Sequence, residues 1–459
     1  MLSTRAARNL ASCLKGQGRY YSAVQPAEIP QFNIPQLTKE PPKVTTRENG
    51  LTVASAENGS PISRVGVAVQ AGARFETSGY YGLSHFLRNA TAMTTASIHS
   101  ISIVRELQKY GCNLSCTSNR EYLLYQVEGT RDNIEAGIDV MSTIISEPLY
   151  YKHEIQDVAD LVALDNQSLQ PEALLMEDLH AAAFKGGMSN SLYCPSYQIK
   201  QITTEMMHAY RLSLFREPRM AFVGLGVNSD FITEKAAQLP TSLDLVDLPE
   251  ELPSKYVGGE SRTSSAGNLT YACLASEGPS MGSKDAAAAA VLQYVMGAGP
   301  SVKYSPGIVS RLGKAVYSAL GSEDFAISGM NLSYSDTGLF GFTVTGYAQD
   351  MGPIMKAAVG EFTAVTKSGA ISDEAVTNAK NQLKAAIMIN CEDTGSTFNS
   401  MAAECLITKK VSDASALLQA VDGVSTADVS NVAKKIINGK PTLVSRGNLS
   451  WMPRLVDLM

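Results

Sequence analysis

Residues 51–56 and 65–71 alternate apolar positions with small or polar ones, a period of two that predicts a pair of antiparallel strands joined at Asn58-Gly59. The period lengthens to that of a helix around His85 and again at 101–110, where Gly111 supplies a stop. Strands are expected at 114–117 and 122–128, helices at 133–145, 154–164, 173–184 and 204–215, and a strand at 220–225 closes the first half. Between 240 and 262 both periods fade. Pro240, Pro249, Pro253, Gly258 and Gly259 break up an acidic stretch that reads as a linker.

The same succession then resumes. A strand is expected at 269–275, and Ser283 is placed to cap a helix that ends at Gly297. A strand at 339–347 precedes helices at 351–366 and 373–390, the second opened by Ser372 with Asp373 and Glu374 in its first turn. Helices near 397–407, 414–421 and 426–437 and a strand at 443–445 complete the chain. Two blocks match across the halves. Tyr125-Gln126-Val127-Glu128-Gly129 corresponds to Phe342-Thr343-Val344-Thr345-Gly346 at an offset of 217, and the strand ending at Gly224 corresponds to the one ending at Gly447 at an offset of 223. The expected fold is therefore α+β, two homologous domains (44–239 and 263–459), each a mainly antiparallel sheet packed with helices.

Composition narrows the class of protein. With 459 residues, 44% hydrophobic and 18% charged, the chain reads as globular and large enough for more than one core. A net charge of −6 argues against nucleic acid as a partner. No apolar run reaches the roughly 18 residues of a membrane span, so association with a membrane is expected to be peripheral. Seven scattered cysteines (13, 112, 116, 194, 273, 391 and 405) point to reduced, buried thiols and not to a disulfide framework. The first residues carry Arg5, Arg8, Lys15 and Arg19 and no acid before Glu28. That amphipathic, acid-free pattern predicts a mitochondrial presequence over 1–21, followed by an extended, proline-punctuated arm over 22–43.

Several stretches resemble the pitrilysin and mitochondrial-processing-peptidase family. They are Gly72-Ala73-Arg74-Phe75-Glu76, Leu179-His180-Ala181-Ala182-Ala183-Phe184 and Tyr334-Ser335-Asp336-Thr337-Gly338-Leu339-Phe340-Gly341. With Gly82-Leu83-Ser84-His85-Phe86-Leu87-Arg88-Asn89 they carry a resemblance that covers essentially all of the mature chain. Leu192-Tyr193-Cys194-Pro195, Gly224-Leu225-Gly226-Val227 and the segment from Gly297 to Lys303 look like those of noncatalytic members that serve as core subunits of a respiratory membrane complex. The resemblance implies a peripheral, matrix-side subunit with no cofactor of its own, partnered by a homologous core subunit and by cytochrome and iron–sulfur subunits. The same family contains a noncatalytic subunit that binds presequences through a glycine-rich loop. Gly297, Gly299, Ser301 and Lys303 would be the contacts of such a loop here, although Pro300 and Pro306 stiffen it. It lacks the spacing of a phosphate-binding loop, and a helix C-cap followed by a turn accounts for it as well.

Active members bind zinc through His-x-x-Glu-His, with the glutamate activating water, and a third ligand about eighty residues further on. Here His85 survives, Arg88 replaces the glutamate and Asn89 replaces the second histidine. Asp157, Asp160 and Asp165 are the acids on the helix where the third ligand belongs. His99, His153, His180 and His208 are dispersed, and His180 falls in a family motif where it packs or hydrogen-bonds. Neither catalytic residues nor a metal are expected at this degenerate motif, because Arg88 sets a permanent cation where a dication would sit.

Overall fold

The structure, a computed structural model, describes residues 40–239, 254–298, 310–367 and 370–458. The expected presequence, the arm up to residue 39 and most of the expected linker lie outside the described residues. The first half runs β1 (Glu40–Thr46), β2 (Thr52–Glu57), β3 (Ile62–Val69), α1 (Leu83–Asn89), α2 (Ser100–Tyr110), β4 (Asn113–Ser118), β5 (Leu123–Thr130), α3 (Ile134–Ser146), α4 (Lys152–Gln167), α5 (Pro171–Ala183), β6 (Phe184–Lys185), α6 (Thr204–Leu214), β7 (Met220–Leu225) and α7 (Ser229–Gln238). The second runs β8 (Lys255–Tyr256), β9 (Gly259–Ser264), β10 (Leu269–Gly278), α8 (Ala286–Met296), α9 (Arg311–Leu320), β11 (Phe325–Ser333), β12 (Gly338–Tyr347), α10 (Met351–Ala364), α11 (Asp373–Glu392), α12 (Thr394–Thr408), α13 (Ala414–Asp422), α14 (Thr426–Ile437), β13 (Thr442–Gly447) and α15 (Leu455–Leu458).

The duplication is explicit in the sheets. The first has the order β1-β2-β7-β3-β5-β4 and the second, read from its far edge, β9-β13-β10-β12-β11. In each, one parallel pair (β2 with β7, β9 with β13) is followed by three antiparallel ones. Tyr125 and Phe342 do occupy equivalent places, opposite Val67 and Leu274. Those two residues face Phe222 and Leu443 in the closing strands, so the match read as Gly224 to Gly447 is two residues out. The slip keeps every side chain on its face, because the strand period is two.

Four expectations need correcting. The hairpin at Asn58-Gly59 does not form, because β7 lies between β2 and β3. All six residues of β7 are buried, and a strand in that position satisfies its backbone only with a neighbour on each edge. Ser283 does not cap α8: the helix starts after Asp285, and the Ser283 hydroxyl has no partner among the described residues. The end of the expected linker is structured, since β8 falls within 240–262 and β9 begins there, at Gly259, and the arm ends in β1, which begins at Glu40. Cys391 is exposed, whereas Cys112, Cys194, Cys273 and Cys405 are buried as free thiols.

Both faces of each sheet are covered, and the covers are traded. One face of the first sheet places Val65, Val67, Val69 and Phe222 against helices of its own half. The other presents small residues, Ala54, Ala68 and Ala221, with Leu124, Val223 and Leu225, to Phe398, Met401, Ala402, Cys405 and Leu406 of α12 from the second half. The second sheet reciprocates. Ala272, Leu274, Phe340, Phe342 and Val344 meet their own helices, while Cys273, Ala275, Leu339 and Val444 meet Leu175, Leu179 and Ala183 of α5. Small side chains on the sheet let each foreign helix approach closely; a Cβ on Gly66 would stand 2.9 Å from the Phe398 ring.

Because each helix completes the other half's core, the described residues form one compact unit. We expect Phe398→Ala, which empties a fully buried site, to cost about 3–5 kcal/mol. Urea unfolding followed by circular dichroism should show one cooperative transition moved to lower denaturant. Two separated transitions would contradict the interlock.

Candidate functional site

The helix carrying His85 is only seven residues long and is fixed at both ends by its surroundings. Gly82 takes a left-handed conformation, φ +87°, just ahead of it, and a Cβ there would come within 2.4 Å of the Cys194 side chain. The buried Glu76 carboxylate accepts hydrogen bonds from Gly82 N (2.7 Å), Ser84 N (2.8 Å) and Ser84 Oγ (2.7 Å), serving as the helix's N-terminal cap from a distance. Burial raises its pKa to about 7 against the pull of those three donors. The Gly72–Glu76 stretch is thus the clamp of α1.

Both nitrogens of the buried His85 ring are engaged. Nδ1 accepts the backbone N–H of Cys194 at 3.1 Å, which leaves the proton on Nε2, directed at Asp165 Oδ2 3.2 Å away. Burial first, and the Arg88 cation second, push the His85 pKa down, outweighing Asp165, so the ring is neutral. Arg88 Nη2 donates to the same Asp165 oxygen at 2.7 Å and Asn89 Nδ2 at 3.3 Å. Burial alone would raise the Asp165 pKa, but the bonds from His85, Asn89 and Arg88 overcome it and hold the group below the ordinary carboxylate range.

Asp165 therefore stands where the resemblance places the third ligand, while Asp157 and Asp160 are exposed on α4. His85, Arg88, Asn89 and Asp165 converge in a closed set. The imidazole offers no free lone pair, since one nitrogen accepts a bond and the other carries a proton. The guanidinium supplies the positive charge that the carboxylate needs. No group of three or more His, Cys, Asp or Glu side chains suited to a metal ion occurs among the described residues.

The other family stretches meet elsewhere, across the two halves. His180 donates from Nδ1 to the Met176 carbonyl (2.7 Å) and accepts at Nε2 from the Tyr334 hydroxyl (2.6 Å). Arg74 reaches Glu121 at 2.8 Å and Asp336 at 2.5 Å, and Glu121 also accepts from Ser335 N and Oγ. Asp178 of α5 holds Arg446 of β13 at 2.6 Å. Sequence reasoning did not single out Glu121 or Asp178. The available signal was an acid beside Arg120 in the short turn between two strands, and an acid two residues before His180. His99, His153 and His208 make no contact with the His85 cluster. Gly297 ends α8 at φ +119°, where a Cβ would stand 2.4 Å from that of Ser310; Gly299, Ser301 and Lys303 lie outside the described residues.

Two experiments follow from these surroundings. Arg88→Met removes the cation that depresses His85 and should raise the His85 pKa, whereas Asp165→Asn should lower it; histidine-selective NMR titration reads both. His180, held near 3 by burial and then by Arg120, is neutral in the folded chain while an unfolded histidine protonates near 6.5. Its contribution is full above pH 6.5 and is lost as pH falls toward 3, by up to about 1.4 kcal/mol per pH unit. The stability of His180→Gln should therefore fall less steeply than that of the native chain between pH 6 and pH 4. Parallel curves would contradict this.

Comparison with known proteins places this geometry. Residues 52–196 match the family model described as insulinase (peptidase family M16), and residues 201–383 match the one described as peptidase M16 inactive domain. The chain is 36% identical over 417 residues to cytochrome b-c1 complex subunit 2, mitochondrial, of Rattus norvegicus, covering 90% of this chain and 91% of that protein. Identity to the Homo sapiens protein of the same name is 33%, again over 90% of this chain and 91% of the relative. The mitochondrial-processing peptidase subunit alpha of Solanum tuberosum is 28% identical over 98% of this chain and 92% of its own length. With its duplicated sheets and these relatives, the chain belongs to peptidase family M16.

Proposed function

We propose that this chain is a noncatalytic core subunit of the mitochondrial cytochrome b-c1 complex, ubiquinol–cytochrome c reductase, and that it serves the assembly and stability of that complex. The observation that carries the reading is similarity along nine-tenths of the chain to proteins named as subunit 2 of that complex. The His85 cluster supports the noncatalytic part. A zinc hydrolase needs three ligands, an open coordination position and a base. Here Asn89 and Arg88 replace a ligand and the base, and Arg88 neutralises Asp165 in their place.

The partners in this reading are the homologous core protein 1, cytochrome b, cytochrome c1 and the Rieske protein. The chain sits peripherally on the matrix side of the inner membrane. No described helix is long and apolar enough to cross a bilayer. The processing-peptidase alpha subunits, at 25–28% identity, are more distant relatives than the rat, mouse and human complex subunits at 33–36%, while the Cryptococcus neoformans subunit of the same name stands at 28%.

Native electrophoresis of detergent-solubilised mitochondrial membranes tests the reading. The chain is expected to migrate with b- and c-type haem, and the isolated chain to contain less than stoichiometric zinc. Recovery only in a soluble fraction that cleaves presequences would replace the reading with the processing-peptidase alternative.

A further inference from the structure

The two sheets match strand for strand except at one edge. In the first, β1 lies antiparallel on the outside of β2, pairing Lys43 with Ser55 and Thr45 with Val53. In the second, β9 is the counterpart of β2, and no described strand lies on its outer side.

The difference has a local cause. The chain between β1 and β2 doubles back in a tight turn, with Leu51 and Arg47 joined by a backbone hydrogen bond. The chain before β9 is committed elsewhere: β8 pairs with β6, Tyr256 opposite Phe184, and the N–H groups of Val257 and Gly258 donate to the Ala183 carbonyl. It enters β9 from the other half and does not fold back along its edge.

The open edge is ordered for pairing. Ser265 N donates to Gly447 O at 2.9 Å, so alternate residues Ser261 and Thr263 face β13, while Glu260, Arg262 and Ser264 turn their N–H and C=O groups outward. The same parity holds in the first half, where Gly226 N donates to Ala56 O and leaves Val53 and Ser55 for β1. Side chains do not fill the edge. Arg262 extends over one face to the carbonyls of Met452 and Pro453, and Thr263 reaches Asp178 on the other. Sheet edges are commonly blunted by proline, as β1 is by Pro41 and Pro42, and β9 has none.

Charge indicates what would lie there. On β1, Lys43 pairs with Glu40 and also feels Asp230 at the start of α7. At the corresponding corner of the second half stand two acids and one paired cation: Glu260, which accepts from Leu455 N and pairs with Arg262 at 3.3 Å, and Asp457 of α15, which accepts from Arg454 N.

We propose that β9 is a strand-addition site that takes a basic, extended segment of a neighbouring subunit, laid antiparallel as β1 lies on β2. The proposal rests on the complex-subunit reading, which supplies a neighbour. The segment bonds through its backbone to Glu260, Arg262 and Ser264, and its Lys or Arg meets Glu260 and Asp457.

Hydrogen-exchange mass spectrometry on the purified complex and on the dilute free chain tests it. Peptides covering 259–265 should exchange on the order of tenfold more slowly in the complex. Equal exchange in the two samples would overturn strand addition while leaving the subunit reading intact. Protection already present in the dilute free chain would also overturn it, by showing that the chain covers its own edge. Absence of the chain from the complex would remove the subunit reading and the proposal together. Ser264→Pro deletes one outward N–H without touching the β13 ladder. It should leave the melting temperature of the free chain unchanged and reduce incorporation into the complex several-fold; normal incorporation would contradict the proposal.

Discussion

The structure depends on an exchange of helices. Each sheet has two apolar faces, and each half supplies enough helix for only one of them. α12 closes the first sheet and α5 closes the second, so neither core is complete alone. The polar contacts follow this exchange: His180 and Asp178 sit on α5 and reach Tyr334 and Arg446. Arg64 of β3 similarly donates to Thr394 at the start of α12. Burial supplies the stabilisation and these pairs fix the register, since a charge pair near the surface contributes little by itself.

Within that frame the short helix α1 is held more rigidly than its length would allow alone. Glu76 caps it, Cys194 orients the His85 ring, and Asp165 gathers three donors on one oxygen. A metal site would need the same convergence, but with lone pairs free and a cation bound from solution. Here the cation is a side chain and the lone pairs are used. The four side chains therefore form an ordinary hydrogen-bonded cluster.

Much of this was legible in the sequence. Periodicity located long helices such as α10, α11 and α14 closely, because each presents one apolar face to a single core. The duplication was visible through Tyr125 and Phe342, and Arg88 and Asn89 marked the altered motif without structural help. Other features were not legible. The partner of β2 lies more than 160 residues away in β7, and an Asn-Gly turn pointed to the nearer strand. β11 and α9 were missed; Gly329 and Asn331 interrupt the alternation of β11. Choosing Asp165 over Asp157 and Asp160 required knowing which face of α4 meets α1. The exchange of α5 and α12 was invisible, because a helix that packs on a distant sheet has the same period as one that packs locally.

In the proposed function the chain is kept for its shape and not for chemistry at His85. Turnover per assembled complex is the direct test, in cells whose only copy carries His85→Leu, Arg88→Met, Asn89→Leu and Asp165→Leu together. An apolar replacement of a closed polar set is often tolerated, where removal of one member is not. The account predicts unchanged ubiquinol–cytochrome c turnover per complex and unchanged maturation of imported subunits. Normal assembly with lost turnover or with uncleaved presequences would contradict it.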